Sequence, residues 1–366
     1  MSFLSLQNIS KRYGTTRAVV DVSLEVESGE FFGLLGPSGC GKTTTLRMVA
    51  GLEIPDTGRI VLDGQDITRL PADRRGFGMV FQSYALFPHL NVFENVAFGL
   101  RARRLPQKEV ARRVAEALSM VSLSNYERRR VDELSGGQQQ RVAIARAISI
   151  EPALLLFDEP LSNLDVALRE ETREELRELV KRLKLTALYV THDQEEAFAL
   201  CDRISVMSEG RILQTGTPRA LYEHPEEIRV ARFLGRNNLI EAVRLSASHA
   251  EASMFRTVDG NHTLRVATAV GASLPLNKPC TLAIRPEHIQ LYGTAGITER
   301  APESSLAENT LSATINSVSF AGSTTTIRLD AGGLALEALV LHPDGFTPGA
   351  SVTVTLPPDR IIIVGN

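Results

Sequence analysis

The sequence predicts an α/β core on a mostly parallel sheet followed by a small all-β domain, and three observations carry that prediction. First, the apolar run Phe31-Phe32-Gly33-Leu34-Leu35 leads into a glycine-rich turn and then a helical pattern from Lys42 to Ala50. That order of strand, loop and helix is the opening of an α/β unit. Second, Ala153 to Phe157 and Ala187 to Val190 are short apolar or β-branched runs with helical patterns on either side, as buried strands of a parallel sheet read. Third, the texture changes after Gly235. Gly, Ser, Thr and Pro become frequent, and segments such as Thr281-Leu282-Ala283-Ile284 and Ser351-Val352-Thr353-Val354-Thr355-Leu356 are separated by turn signals, the pattern of a compact β-domain.

Between the first two strand signals, Val92 to Ile150 reads as helical, with Val110, Val114, Ala117, Leu118 and Val121 recurring at three- and four-residue intervals. The stretch Ala295 to Thr310 is poor in apolar residues and reads as a loop. The expected domains are therefore residues 1–235, with a helical subdomain at about 90–150, and residues 236–366. At 366 residues and 43% hydrophobic content the chain can bury more than one core.

Composition also narrows the function classes. The formal net charge is -3, with 40 basic and 43 acidic residues, so no global basic field argues for nucleic acid. No apolar run approaches the ~18 residues a membrane helix needs, and Met1-Ser2-Phe3-Leu4-Ser5-Leu6 lacks the basic start of a signal peptide. The expectation is a chain that neither spans a membrane nor is secreted. Cys40, Cys201 and Cys280 are too scattered for a disulfide framework or a zinc site. The runs Arg101, Arg103, Arg104 and Arg128-Arg129-Arg130 read as solvated helix faces rather than lipid contacts.

Gly36-Pro37-Ser38-Gly39-Cys40-Gly41-Lys42-Thr43 is a complete phosphate-binding loop. Its glycines let backbone N–H groups approach phosphates, Lys42 adds a point charge, and Thr43 offers a hydroxyl to Mg²⁺. Further along stand Gln82, Leu134-Ser135-Gly136-Gly137-Gln138, Leu154-Leu155-Leu156-Phe157-Asp158-Glu159-Pro160 and His192. In this order and spacing the set resembles the ATP-binding-cassette (ABC) ATPases, which implies a P-loop NTPase domain with a helical subdomain. Leu282-Ala283-Ile284-Arg285-Pro286-Glu287-His288 resembles a segment of the C-terminal TOBE domain, an oligonucleotide/oligosaccharide-binding-like fold, in importer ATPases of the maltose, polyamine, sulfate and ferric-ion type.

Phosphoryl transfer to water needs positioning and charge neutralisation more than covalent chemistry. Ser38, Gly39, Gly41, Lys42, Thr43 and Thr44, in a loop completed by Gly36, Pro37 and Cys40, would hold the phosphates of ATP at a helix N-terminus. The resemblance implies that Asp158 holds Mg²⁺ through water and that Glu159 polarises the attacking water. It implies too that His192 contacts the γ-phosphate, that Gln82 senses this phosphate or its metal, and that Tyr13 stacks on adenine. Tyr13 otherwise reads as a strand-edge packing residue. Backbone dipoles and Lys42 are expected to lower the thiol pKa of Cys40. His89, His224, His262, His288 and His342 read as structural or solvated.

In this family Ser135, Gly136, Gly137 and Gln138 cap the nucleotide bound by the opposite subunit, and Asp165 lies at the dimer seam. One chain carries one motif set, so the resemblance implies a homodimer, or a dimer with a close relative, closing on two ATP molecules as a ligand-driven switch. Ser83-Tyr84-Ala85-Leu86-Phe87-Pro88-His89 is unusually aromatic for an exposed loop. It reads either as core packing or, by the resemblance, as the groove that receives a permease helix. The implied protein is the energy-coupling ATPase of a binding-protein-dependent importer, peripheral on the cytoplasmic face of the membrane, with permease subunits as direct partners and an extracytoplasmic solute-binding protein as an indirect one. Phe233-Leu234-Gly235-Arg236-Asn237-Asn238-Leu239-Ile240 departs from the Ser-Pro-x-Met-Asn-like stretch usual in maltose-type sugar ATPases, which favours polyamine, ferric-ion or inorganic-anion cargo over sugar. A DNA-repair or translation ATPase, an exporter and a ligand-sensing adaptor are the competing classes. The first two would more often show tandem cassettes, a basic surface or membrane spans.

Overall fold

Hydrophobic patterning and chain-end chemistry place the elements in the first half of the chain. A computed structural model describes residues 3–246, 252–267, 276–293, 309–341 and 345–365. The expected loop from Ala295 falls almost wholly outside these residues, as does His342. The chain divides into two units, Met1–Leu221 and Tyr222–Asn366, so the division falls earlier than the expected Gly235.

The first unit opens with β1 (Leu4–Tyr13), β2 (Thr16–Val26), β3 (Phe31–Leu35), α1 (Lys42–Ala50), β4 (Thr57–Leu62), β5 (Gln65–Asp66), α2 (Ala72–Arg75) and β6 (Gly78–Val80). It continues through α3 (Val92–Ala102), α4 (Gln107–Met120), a 3₁₀ turn at Val131–Glu133, α5 (Gly136–Ser149), β7 (Leu155–Asp158), α6 (Val166–Arg182), β8 (Ala187–Thr191), α7 (Gln194–Leu200), β9 (Arg203–Ser208), β10 (Arg211–Gly216) and the start of α8 (Pro218–Glu223), whose Tyr222 and Glu223 fall in the second unit.

The main sheet has the order β10-β9-β3-β8-β7-β6 and is parallel except for the β9–β10 pair. Its central strands read as continuous apolar runs because both faces are covered: every residue of β3 and β8 is buried. Phe31, Phe157 and Tyr189 meet across them with ring centroids 5.8–6.1 Å apart. A second, antiparallel sheet, β2-β1-β4-β5, was not legible in the sequence. Leu4 pairs with both Val26 and Leu62, and these strands share one core with α1.

The helical stretch obeys local rules. Asn91 caps α3 in a reciprocal box with Glu94. In α4 the periodic residues Val110, Val114, Ala117 and Leu118 are buried, while Glu109, Arg112 and Glu116 form solvated i,i+3 and i,i+4 pairs on the opposite face. The arginine runs are exposed: Arg129 stacks on Tyr126 and Arg130 pairs with Asp132. The C-terminus of α1 is closed by the buried Arg75, whose guanidinium donates to the carbonyls of Met48 and Val49 as well as Thr68 and Leu70.

The second unit contains α9 (Ile228–Phe233) and the strands β11 (Asn238–Ser246), β12 (Ala252–Thr257), β13 (Thr263–Ala267), β14 (Pro279–Ile284), β15 (Gln290–Gly293), β16 (Thr310–Phe320), β17 (Thr325–Ala331), β18 (Leu334–Val340), β19 (Ser351–Thr355) and β20 (Ile362–Val364). They form two five-stranded antiparallel sheets, β13-β12-β11-β14-β20 and β15-β19-β16-β17-β18, around a core that includes Phe255, Leu264, Leu282, Ile315, Ile327 and Val354. The stretch from Tyr222 belongs here because its bonds are made here. Ala231 packs with Ala283 and Val364, and the Ile228 N–H donates to the Gly365 carbonyl. The departing residues Arg236 and Asn238 both hold β18: Arg236 pairs with Glu337, and Asn238 exchanges hydrogen bonds with its backbone.

Candidate functional site

The phosphate-binding loop joins β3 to α1, and two glycines explain its path. Gly41 has φ +104°, and a Cβ there would lie 2.4 Å from the Ala18 carbonyl oxygen. At Gly36 a Cβ would lie 2.3 Å from the Met207 carbonyl oxygen. Only glycine fits either close approach. The N–H groups that open α1 therefore face a cavity of about 320 Å³ lined by Ala18, Ser38, Gly39, Gly41, Lys42, Thr43, Thr44, Gln82 and Glu159.

Lys42 is buried, and its ammonium donates to the carbonyls of Gly36 (2.7 Å) and Pro37 (3.0 Å). Thr43 donates its hydroxyl to Asp158 Oδ1 at 3.0 Å, across 115 residues of sequence. Burial pushes the Asp158 carboxyl above its usual range, partly offset by that hydrogen bond. A hydroxyl beside a buried carboxylate at the mouth of a phosphate loop is an all-oxygen donor set suited to a Mg²⁺ that keeps waters and phosphate oxygens as its remaining ligands.

Glu159 follows β7 with φ +45°, an uncommon conformation for a non-glycine residue, fixed by its N–H bond to Val190. Its Oε2 lies 2.9 Å from His192 Nδ1, so His192 reaches the cavity through Glu159. The loop carrying His192 is held from below. Buried Glu196 accepts hydrogen bonds from Tyr189 (2.9 Å) and Thr191 (2.7 Å), and Asp193 caps α7 while facing Arg169 at 3.5 Å. Burial raises the Glu196 carboxyl against those two donors. These supporting residues were not singled out in the sequence, where only the helix-cap signal at Asp193 was available.

Gln82 is exposed at the cavity edge, and its carbonyl accepts from Asn163 Nδ2 at 2.8 Å. In the following segment Tyr84 is buried while Phe87 lies against the half-exposed Phe98, so the stretch is partly core and partly surface. Buried Asn95 bonds both backbone groups of Phe87, and Arg146 donates to the carbonyls of Tyr84 and Ala85.

The remaining expected residues lie outside the cavity lining. Ser135 caps α5 in a reciprocal box with Gln138 and is exposed, as is Gly136, whereas Gly137 is buried. Asp165 caps α6, accepting from Leu168 N–H at 3.0 Å. Tyr13 ends β1 at 45% exposure, with Lys11 5.6 Å from its ring. One expectation is corrected. Burial pushes the Cys40 thiol up rather than down, because desolvation of the thiolate outweighs the Lys42 ammonium, which is already engaged by two carbonyls.

Residues 19–162 match the ABC transporter family model, and residues 282–364 match the TOBE domain model. The chain is 45% identical to the spermidine/putrescine import ATP-binding protein PotA of Rubrobacter xylanophilus, over 99% of this chain and 93% of that protein. It belongs to the ABC import ATPases. This ABC import ATPase is also 53% identical to the Fe(3+) ions import ATP-binding protein FbpC of Vibrio cholerae, over 80% of each chain. Among solved structures, cbiO1 of Clostridium perfringens, part of an ABC transporter complex, superposes with TM-score 0.57 at 31% identity, covering 61% of this chain and 91% of that one. A bacterial ABC transporter cassette solved as a dimer gives 0.53 at 33%, covering 59% and 99%. As a member of this family the chain binds ATP and is a transport-coupled ATPase with a C-terminal TOBE domain. Among the described residues no helix is long and apolar enough to cross a membrane.

Proposed function

We propose that this ABC import ATPase powers uptake of a polyamine or of ferric ion through a separate membrane permease, as a homodimer on the cytoplasmic face. The observation that carries the reading of the site is the Glu159–His192 contact, 2.9 Å long, at the rim of the phosphate-loop cavity. Glu159 accepts a proton from the attacking water, and His192 holds the Glu159 carboxylate in place and meets the γ-phosphate. Lys42 and the N–H groups opening α1 neutralise the phosphates. Thr43 and Asp158, with Gln82 beside them, would hold Mg²⁺, which supplies charge neutralisation at the β- and γ-phosphate oxygens when bound. Tyr13, exposed at the end of β1, takes the adenine.

The cap of α5 supports the dimer reading. Ser135, Gly136, Gly137 and Gln138 lie apart from their own chain's phosphate cavity, and Ser135 and Gly136 are open to a second copy; Asp165 lies at the same seam. The Gln82–His89 segment, anchored through Asn95 and Arg146, offers Phe87 and Phe98 to a permease helix. Cargo is chosen by the permease and an extracytoplasmic solute-binding protein. The polyamine or ferric-ion reading rests on the relatives and on the junction residues Arg236 to Asn238. The test is uptake of labelled spermidine and of ferric ion in cells lacking this chain, complemented with wild type or Glu159→Gln. Uptake of one cargo that only wild type restores identifies it; unchanged uptake of both refutes the assignment.

A further inference from the structure

Arg169 stands in the opening turn of α6, where the helix dipole disfavours a cation, and its guanidinium reaches three partners outside that helix. Nη2 donates to the Leu164 carbonyl at 3.0 Å, Nη1 lies 3.5 Å from Asp193 Oδ2, and Nε lies 3.9 Å from Glu196 Oε1. Leu164 belongs to the loop that ends at Asp165, and it is buried against the opening of α5. A Cβ at Gly136 would lie 3.6 Å from Leu164 Cδ2, and one at Gly137 would lie 3.1 Å from Leu168 Cδ2. Asp193 and Glu196 hold the backbone on both sides of His192. The Thr191 hydroxyl donates to Glu196 Oε2 at 2.7 Å and accepts from the Asp193 N–H at 3.0 Å, while Asp193 caps α7. The imidazole is exposed and touches Glu159 at 2.9 Å, so its direction follows from the backbone that these two carboxylates hold.

We propose that Arg169 is a positioning residue that fixes the loop carrying His192 to the loop carrying Leu164 and Asp165, so that a shift at the dimer seam reaches His192 and, through it, Glu159. The inference rests on the reading of Asp165 at the seam and of His192 at the γ-phosphate. Charge alone accounts for the pairing with Asp193 and Glu196; the bond to the neutral Leu164 carbonyl is what a guanidinium adds. Its N–H groups fan out in one plane toward a carbonyl and two carboxylates, whereas a lysine ammonium is a single point on a flexible stem and cannot keep all three. Because Leu164 and Leu168 lie against Gly136 and Gly137, the same guanidinium links the α5 cap, open to a second copy, to this chain's own His192.

The experiment compares the full chain with Arg169→Lys, which keeps a cation beside the buried Glu196 and so spares the fold, and with Arg169→Met, which keeps only the stem. Histidine imidazole resonances are followed by NMR with a non-hydrolysable ATP analogue and Mg²⁺ bound, His192 being assigned through His192→Gln. The His192 resonance should move or broaden in both variants while those of His224 and His262 stay in place, and the melting temperature of Arg169→Lys should match wild type. Turnover at saturating ATP should fall about tenfold in Arg169→Lys with KM unchanged, the size expected of a residue that acts through another. A wild-type His192 resonance in Arg169→Lys, or wild-type turnover there, overturns the proposal and leaves Arg169 as a charge partner of Glu196. Added to His192→Ala, Arg169→Lys should cost less than about twofold more; a further tenfold loss shows that Arg169 acts elsewhere and overturns it too. Near-normal turnover in His192→Ala alone instead refutes the catalytic reading of His192, and the His192 resonance then still decides whether Arg169 places the imidazole.

Discussion

If Glu159 and His192 act as one device, their removal should not be additive, and the 2.9 Å contact sets the size of the effect. A positioned general base contributes roughly 10² to 10⁴ in rate, about 2.7 to 5.4 kcal/mol of transition-state stabilisation. Glu159→Gln keeps the side-chain shape and hydrogen-bonding reach, so ATP binding should persist while turnover falls by that factor. His192→Ala removes the group that fixes the Glu159 carboxylate, and Glu159 already sits in a left-handed backbone conformation that only its surroundings maintain. Its loss should therefore cost a similar factor. Independent contributions would multiply to roughly 10⁴ to 10⁸ in the double variant, whereas a single device predicts a double variant within about tenfold of Glu159→Gln alone. The assay is steady-state phosphate release at saturating ATP and Mg²⁺, with nucleotide affinity measured in parallel. Multiplicative losses would refute the shared role, and near-normal turnover in Glu159→Gln would remove it from catalysis altogether.

Other outcomes are equally checkable. Lys42→Ala should weaken ATP binding to the single chain and Ser135→Arg should not; mixing the two inactive variants should restore part of the ATPase activity, and full activity in either alone would refute a head-to-tail dimer. A chain ending at Glu223 should stay soluble and bind ATP, whereas one ending at Arg236 should aggregate more readily, because it keeps Val230 and Ala231 but loses the strands that bury Ala231; light scattering distinguishes them. Gly41→Ala should lose about 2 to 4 kcal/mol in urea unfolding, from left-handed strain plus the 2.4 Å approach to the Ala18 carbonyl. Burial raises the Glu196 carboxyl, so the folded chain keeps that proton to higher pH than the unfolded chain, and stability is lost as pH rises from the ordinary carboxylate range through the raised value. Glu196→Gln should remove that part of the decline, its stability relative to wild type growing as pH rises above the ordinary carboxylate range; a pH-independent difference would refute it.

The elements most legible in the sequence were those bounded by local chemistry. The helix expected from Lys42 to Ala50 is α1 residue for residue, because Gly41 and Gly51 bracket it with positive φ. The strand expected at Ala153 to Phe157 is displaced to Leu155–Asp158, and the one at Ala187 gains Thr191. Burial on both faces makes such runs visible but leaves their ends unmarked. The antiparallel sheet of β1, β2, β4 and β5 was missed although β2 alternates buried and exposed residues from Val22 to Val26; β1 does not alternate, and register shifts interrupt the β1–β2 and β1–β4 pairs. The boundary at Gly235 followed a change in composition, whereas Tyr222 to Gly235 belongs with the strands through Ala231 and Ile228, contacts that composition does not report.

The sequence by itself determined the phosphate loop and the family to which the motifs belong; the caps at Asn91, Ser135, Asp165 and Asp193 obey the same short-range chemistry but were recognised only in the structure. Hydrogen bonding over three or four residues and the backbone freedom of glycine act at that range and can be read from spacing. Only the tertiary structure decided the ionisation of Asp158, Cys40 and Glu196, the support of His192 from Glu196, and the burial of Arg285 among the carbonyls of Tyr222, Leu234 and Arg236. These are set by desolvation and by partners brought from distant parts of the chain, as Asp158 is to Thr43. Burial of a charge is a property of the folded neighbourhood, and no local pattern records it.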